Sequence, residues 1–187
     1  MTRHVALLRA VNVTGVNKVG MKELTAVFES LGHRDVVAYI QSGNVVFSPD
    51  PTARVTDQPA QTQLLRVALR EAINARFALS IDLVLFDAHE LSMIVDRTPF
   101  VSDGRPFEGT HIGFLAETAS EEGIARLDPH RSPPDQFVVD GRAVHFWYPA
   151  GIGRTKLTTT YLERALGNIM TVRNRNTVER LVQLATS

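Results

Sequence analysis

Asp35-Val36-Val37-Ala38-Tyr39-Ile40-Gln41-Ser42-Gly43-Asn44-Val45-Val46-Phe47-Ser48 reads as two short strands around a turn. β-Branched and aromatic residues fill Asp35 to Ile40 and Asn44 to Ser48, and Gln41-Ser42-Gly43 between them supplies the hairpin turn. The flanks decide the fold. Upstream, Val5 to Val11 reads as a buried strand. Met21 to Leu31 reads as a helix, because Met21, Leu24, Val27, Phe28 and Leu31 share one face; Gly32 is the expected residue just past its end. Downstream, residues 49–61 are polar with three prolines and read as a loop. Residues 63–79 are helical, with Leu65, Leu69, Ile73 and Phe77 four apart. Asp82 to Phe86 is a strand and His89 to Val95 a short helix. The first half is therefore ordered βαββαβ, then a helix.

The same order returns after a connector at residues 96–109. Thr110 to Ala116 is a strand and Ser120 to Leu127 a helix. Strands at 136–140 and 142–148 flank Asp140-Gly141, a tight-turn signal. Thr155 to Leu166 reads as a helix with a stripe of Leu157, Tyr161, Leu162, Ala165 and Leu166, ended by Gly167. Asn168 to Arg173 is a strand. Thr177 to Leu184 is the last helix, with Asn176, or else Asn174, as N-cap and Glu179 at the capping-box position. The expected fold class is α+β: two ferredoxin-like (βαββαβ) plaits packed together, with antiparallel sheets and helices on one face. The expected subdomains are residues 1–97 and 98–187. A single larger α+β domain is the competing reading. The repeat is one of order, with no matching letters between the halves.

With 187 residues, 44% apolar and 21% charged, the chain has the composition of a globular protein. No apolar run approaches the roughly 18 residues that span a bilayer, and the first residues lack the layout of a signal peptide. There is no cysteine, which excludes disulfides and thiolate zinc sites. A cytoplasmic location is the default expectation.

Formal net charge is zero but unevenly placed. Residues 1–48 carry five Lys/Arg against three Asp/Glu, a net of +2. Residues 49–150 carry nine against fifteen, a net of −6, and residues 151–187 carry six against two, a net of +4. The basic excess sits on two segments rich in Asn and Gly. One runs from Leu8 through Arg9, Asn12 and Asn17 to Lys18 and is echoed by Gln41-Ser42-Gly43-Asn44. The other is Gly151-Ile152-Gly153-Arg154-Thr155-Lys156, followed by Thr171-Val172-Arg173-Asn174-Arg175-Asn176-Thr177.

These segments resemble the domain of unknown function 1697, a family of uncharacterised bacterial proteins. Its N-terminal pattern, A-L-L-R-G-I-N-V-G-G-x-N-K and then Y-I-Q-S-G-N-V-V-F, matches Ala6 to Lys18 and Tyr39 to Phe47. Its C-terminal pattern, G-x-x-x-S-K-L and then T-x-R-N-W-N-T-V, matches Gly151 to Leu157 and Thr171 to Val178. Ala10 and Thr14 stand where glycine is usual, Thr155 where serine is usual, and Arg175 where tryptophan is usual. The resemblance implies a cytosolic α+β protein and no particular reaction.

Polar, turn-forming and cationic residues contribute little to a core, so the two segments together suggest a binding surface. The expected ligand residues are Arg9, Asn12, Lys18, Ser42, Asn44, Arg154, Lys156, Arg173 and Asn174, gathered in a basic cleft between the subdomains. A Gly-rich turn from strand to helix aims N–H groups and a positive dipole at one spot. Lys156 in the first helical turn would oppose that dipole, which suggests an anionic partner. The plain alternative is a turn beside a solvated lysine, and the spacing is not that of a P-loop. Arg173 falls out of step with Val172, towards the sheet face opposite the helices. Gly43 and Asn17 read as turn formers, and Asn12 and Asn44 stay open to either role. Ser42 and Thr155 are the candidate nucleophiles, with no base at a recognised spacing. The six histidines show no ligand spacing, so neither metal nor cofactor is expected. The favoured partner is a small phosphorylated or nucleotide-like ligand. Nucleic acid is less favoured, since no exposed aromatic pattern for stacking bases is visible. An enzyme acting on such a ligand, or motifs that serve folding alone, are the other readings.

Overall fold

Strand β1, His4–Leu8, ends before the expected Val11 because the chain turns at Arg9-Ala10, where Ala10 takes a left-handed φ of 51°. The computed structural model describes residues 2–13, 15–52 and 58–187; Thr14 and residues 53–57 of the expected loop lie outside them. Helix α1 is Met21–Ser30, and Gly32 follows it at φ 83° with its N–H on the Glu29 carbonyl at 3.0 Å. Strands β2, Arg34–Tyr39, and β3, Asn44–Ser48, form the expected hairpin. Helix α2, Gln58–Phe77, begins earlier than its apolar spacing indicated. Strand β4 is Leu83–Asp87 and helix α3 is Ala88–Asp96. The sheet order is β2-β3-β1-β4, every pair antiparallel, with Val5 opposite both Val46 and Phe86.

The connector carries the short helix α4, Pro99–Ser102, and a 3-10 turn at Phe107–Gly109. Then come β5 (Thr110–Leu115), α5 (Glu121–Ala125), β6 (Gln136–Asp140), β7 (Ala143–Trp147), α6 (Thr159–Leu166), β8 (Met170–Asn174) and α7 (Arg175–Thr186). The order is β6-β7-β5-β8, again fully antiparallel. Both sheets have the ferredoxin-like order, so the fold is α+β with two such plaits.

Three local expectations are corrected. Asp140 pairs with Ala143, so the two-residue turn is Gly141-Arg142, with Gly141 at φ 57°. Helix α6 starts at Thr159 rather than Thr155, because Ile152–Arg154 forms a 3-10 turn and Thr158 is the cap, its Oγ1 accepting the Tyr161 N–H at 3.2 Å. Helix α7 starts at Arg175, so Asn174 rather than Asn176 caps it: its Oδ1 accepts the Thr177 N–H at 2.8 Å. Glu179, expected in a capping box, instead pairs with Arg175 at 2.9 Å.

The chain divides into Met1–Ser92 with Leu181–Ser187, and Met93–Arg180, against the sequence boundary at 97/98. In the first unit α1 and α2 cover one sheet face through Leu24, Phe28, Leu69 and Ile73, against Ala6, Leu8, Val45, Phe47 and Leu85. Each such side chain contributes about 1.5–3 kcal/mol by leaving water. In the second, Leu162, Ala165 and Leu166 pack on Val144, Phe146 and Met170. The opposite face is closed as well. Val5, Leu7, Val46, Val84 and Phe86 in the first sheet, and Ile112, Phe114, Ala143 and His145 in the second, are essentially buried. Neither plait offers an open aromatic sheet face to bases.

Candidate functional site

In the first unit Arg9, Asn12, Lys18, Ser42 and Asn44 belong to the end of the sheet where β1 finishes and β3 and β4 begin. Arg9 donates its N–H to the Asp82 carbonyl at 2.8 Å, and Leu8 donates its own to Gly43 at 2.8 Å. Asn12 clamps the loop. Its Oδ1 accepts the Val19 N–H at 2.9 Å, and its Nδ2 donates to the carbonyls of Val19 at 2.9 Å and Gln41 at 2.8 Å. The Asn17 side chain donates to the Ala10 carbonyl at 3.0 Å. Gly43, at φ 73°, presses so closely on Leu8 and Val11 that a Cβ would collide with both, which requires glycine there. Asn44 is fully buried and donates to the Tyr39 carbonyl at 3.1 Å and to Ser42 Oγ at 2.9 Å. Asn12 and Asn44 thus hold this end of the plait together.

Four non-glycine residues here occupy the left-handed region: Ala10 (φ 51°), Asn12 (54°), Asn17 (49°) and Ile40 (51°). Asparagine tolerates this conformation; a β-branched isoleucine does not. Ile40 is nonetheless 49% exposed, so core packing does not explain its strain. Val13 and Val16, at 55% and 59% exposure, bridge each other at the loop tip. Lys18 is exposed, and its side chain has no hydrogen bond or ion pair among the described residues.

The second basic segment is built differently. Arg154 closes the 3-10 turn and Lys156 lies outside α6, so Lys156 does not oppose that helix's dipole from within its first turn. The amides that flank the turn are taken up within the second unit. Gly151 N–H goes to the Tyr148 carbonyl at 3.1 Å, Lys156 N–H to Ser132 Oγ at 2.9 Å, and Leu157 N–H to Thr155 Oγ1 at 3.1 Å. The side chains of Arg154 and Lys156 are exposed and, among the described residues, carry no hydrogen bond or ion pair. Arg173, on the face opposite the helices, is half-buried; burial lowers its pKa to about 10, which leaves it a cation at neutral pH. Its Nη1 donates to Thr171 Oγ1 at 2.7 Å and to the Val172 carbonyl at 2.9 Å. Asn174 is occupied as the α7 cap. Arg173 and Asn174 share the end of the second sheet from which the Gly151 segment leaves β7, because Asn174 pairs with His111 and Trp147 with Thr110.

Several residues here carried no sequence signal. Arg131 lays its guanidinium 3.8 Å from the Tyr161 ring centroid and donates to the Lys156 carbonyl at 3.0 Å. Ser132 links Thr155, whose hydroxyl donates to it at 3.4 Å, to Asp135, whose Oδ2 accepts its hydroxyl at 2.8 Å. No spacing rule joins 131–135 to 155–156. Ile40, Val13 and Val16 passed as strand and loop filler, since a left-handed φ leaves no mark on the letter. Among the described residues no three His, Asp or Glu side chains group as metal ligands, and no helix is long and apolar enough to cross a membrane.

A double α+β plait with two Asn/Gly/basic segments defines the class of protein. The chain belongs to the family described as "Protein of unknown function (DUF1697)", whose model matches residues 1–145. That match takes in the first basic segment and stops short of the second. A similar solved structure is that of the conserved bacterial protein SP0830 from Streptococcus pneumoniae. It is 22% identical with a TM-score of 0.73, over 100% of this chain and 99% of that one. At that identity the likeness speaks for the fold alone. No curated protein matches the chain.

Proposed function

We propose that the protein binds a small anionic ligand, phosphorylated or nucleotide-like, at the loop cluster around Arg9, Asn12, Lys18 and Gln41–Asn44. One observation carries the reading: left-handed, non-glycine backbone is concentrated in that cluster, beside an exposed lysine with no side-chain partner among the described residues. Strain of this kind costs about 1–3 kcal/mol per residue and gathers where a site must be preorganised. Exposed Ile40, Val13 and Val16 suit the apolar body of such a ligand, and Lys18 its charge. Arg154, Lys156 and Arg173 form a second basic cluster, within the other unit, for a ligand of the same kind. A cytoplasmic setting belongs to the proposal, supported by the lack of cysteine.

Thermal melts against a panel of nucleotides and sugar phosphates test it. A ligand at 100 times its Kd adds about 2.7 kcal/mol. Lys18→Ala is expected to weaken that ligand about tenfold or more with the fold intact. Ile40→Gly is expected to raise stability by up to about 1 kcal/mol while weakening binding. A panel without a hit, or a ligand indifferent to Lys18, overturns the reading.

The hydroxyl chain Thr155–Ser132–Asp135 beside Lys156 supports a second reading, an enzyme acting on a ligand of this kind. A carboxylate at its far end could draw the proton from Thr155 Oγ1 through Ser132, with Lys156 facing developing negative charge. Turnover abolished by Ser132→Ala with affinity unchanged is the result this reading requires.

A further inference from the structure

The first unit holds a cavity of about 270 Å³ at the end of its sheet remote from the loop cluster, where β2 begins and β3 finishes. Its walls are Leu31 from the end of α1, and Leu64, Leu65 and Ala68 from α2. That volume far exceeds the roughly 10–15 Å³ a single water needs. The walls are mainly apolar, so a cluster of waters would find few partners. Leu64 is 60% exposed, which leaves a large apolar side chain at the rim.

Three polar residues line it as well, His33, Asp50 and Gln61. His33 is buried, its ring 4.9 Å from that of Phe47, and its Nδ1 accepts the Asp50 N–H at 3.1 Å. The proton therefore sits on Nε2, a buried donor with no hydrogen-bond partner among the described residues. Burial also holds the imidazole below its ordinary pKa, so the ring is neutral at pH 7. Asp50 takes the N–H of Thr52 on Oδ1 at 2.9 Å and its hydroxyl on Oδ2 at 2.8 Å. These bonds hold the carboxyl below the ordinary range and fix it at the rim, each oxygen keeping a free lone pair. With His33 neutral, Asp50 is the one charge among the described residues of the lining; Arg34, close enough to act on it, does not line the cavity.

We infer that this cavity takes a small organic cation with an apolar body, an alkyl or aryl amine, whose ammonium group sits on Asp50 while its hydrocarbon lies among Leu31, Leu64, Leu65 and Ala68. Charge complementarity selects the class. A carboxylate-bearing ligand would meet Asp50 with like charge, whereas an ammonium adds a charge-assisted hydrogen bond to Asp50 that an uncharged ligand cannot make. This site is separate from the anion-binding loops and of opposite preference, so either stands without the other.

The test is methyl-resolved NMR on the full chain at pH 7, titrated in turn with benzylamine, benzyl alcohol and benzoate. Benzylamine is expected to give saturable shifts at Leu64, Leu65 and Ala68, with affinity about tenfold or more above that of benzoate. Asp50→Asn should bring benzylamine down to the level of benzyl alcohol, which itself barely changes. On the wild-type chain, added salt should weaken benzylamine and leave benzyl alcohol alone, a readout that needs no variant to fold. Benzoate matching benzylamine, a benzylamine affinity indifferent to both salt and Asp50→Asn, or shifts that never saturate would overturn the inference.

Discussion

His145 shows most clearly how one residue sets a property of the whole chain. It lies on β7 opposite Ile112, fully buried, with both ring nitrogens lacking a hydrogen-bond partner among the described residues. Burial drives its pKa down to about 4; Asp140 acts weakly upwards and Arg175 downwards. In the unfolded chain it titrates near its ordinary value of 6.5. Above that pH both states are neutral and nothing is lost. Between 6.5 and about 4 the unfolded state takes up a proton that the folded state refuses, so stability falls as pH falls, by about 3 kcal/mol in all. Urea melts at pH 7.5 and pH 4.5 on wild type and His145→Phe measure this, because the remaining histidines cancel in the difference. Equal losses in the two proteins would refute it. No letter hints at the effect: a histidine in a strand is legible, but not that both faces of that strand are closed. Asn12 is similar. Its letter suggested a turn or a ligand, whereas its clamp depends on a Gln41 carbonyl remote in sequence.

At the scale of elements, what could be read was what local periodicity encodes. The α1 stripe and the β2–β3 hairpin appeared close to their expected bounds because apolar spacing and turn residues are local properties. The starts of α6 and α7 were misplaced because several residues in each run can cap. Thr155, Thr158, Thr159 and Thr160 are all competent, as are Asn174 and Asn176, and tertiary contacts chose among them: Thr155 is drawn to Ser132, which frees Thr158 to cap. The α7 cap can be tested directly. Asn174→Ala removes the acceptor of the Thr177 N–H and is expected to cost about 1 kcal/mol in chemical unfolding, with Asn174→Asp largely retaining stability. Asn176→Ala should change stability by no more than about 0.5 kcal/mol. The reverse ranking would return the cap to Asn176.

Across the whole chain, the repeat of βαββαβ order does not extend to the basic segments. The first lies where β1 ends; the second lies where β5 begins and β7 ends, which is the other end of the plait in topological terms. Two copies of one fold therefore carry different chemistry at different ends, which no comparison of the halves as letter strings could show. The two units are also not consecutive stretches of chain, since α7 starts in Met93–Arg180 and its last residues, from Leu181, count with the first unit. Leu181 and Ala185 are buried there. Arg3 fastens the helix end: Nη1 donates to the Leu184 carbonyl at 2.6 Å and Nη2 to the Asp35 carbonyl at 2.6 Å. A guanidinium on the last carbonyls of a helix satisfies an orphan acceptor and complements the negative dipole end at once. Arg3→Met keeps the aliphatic stem and removes both charge-assisted bonds, so a loss of about 2 kcal/mol is expected. The loss should be visible locally. Amide hydrogen exchange ought to quicken in α7 beyond Leu181 and at the start of β2, the two places Arg3 joins, and stay slow in β5 to β8. Exchange that quickens evenly over the chain, or not at all in the last turns of α7, would mean that Arg3 does not secure the C-terminal helix to the first plait.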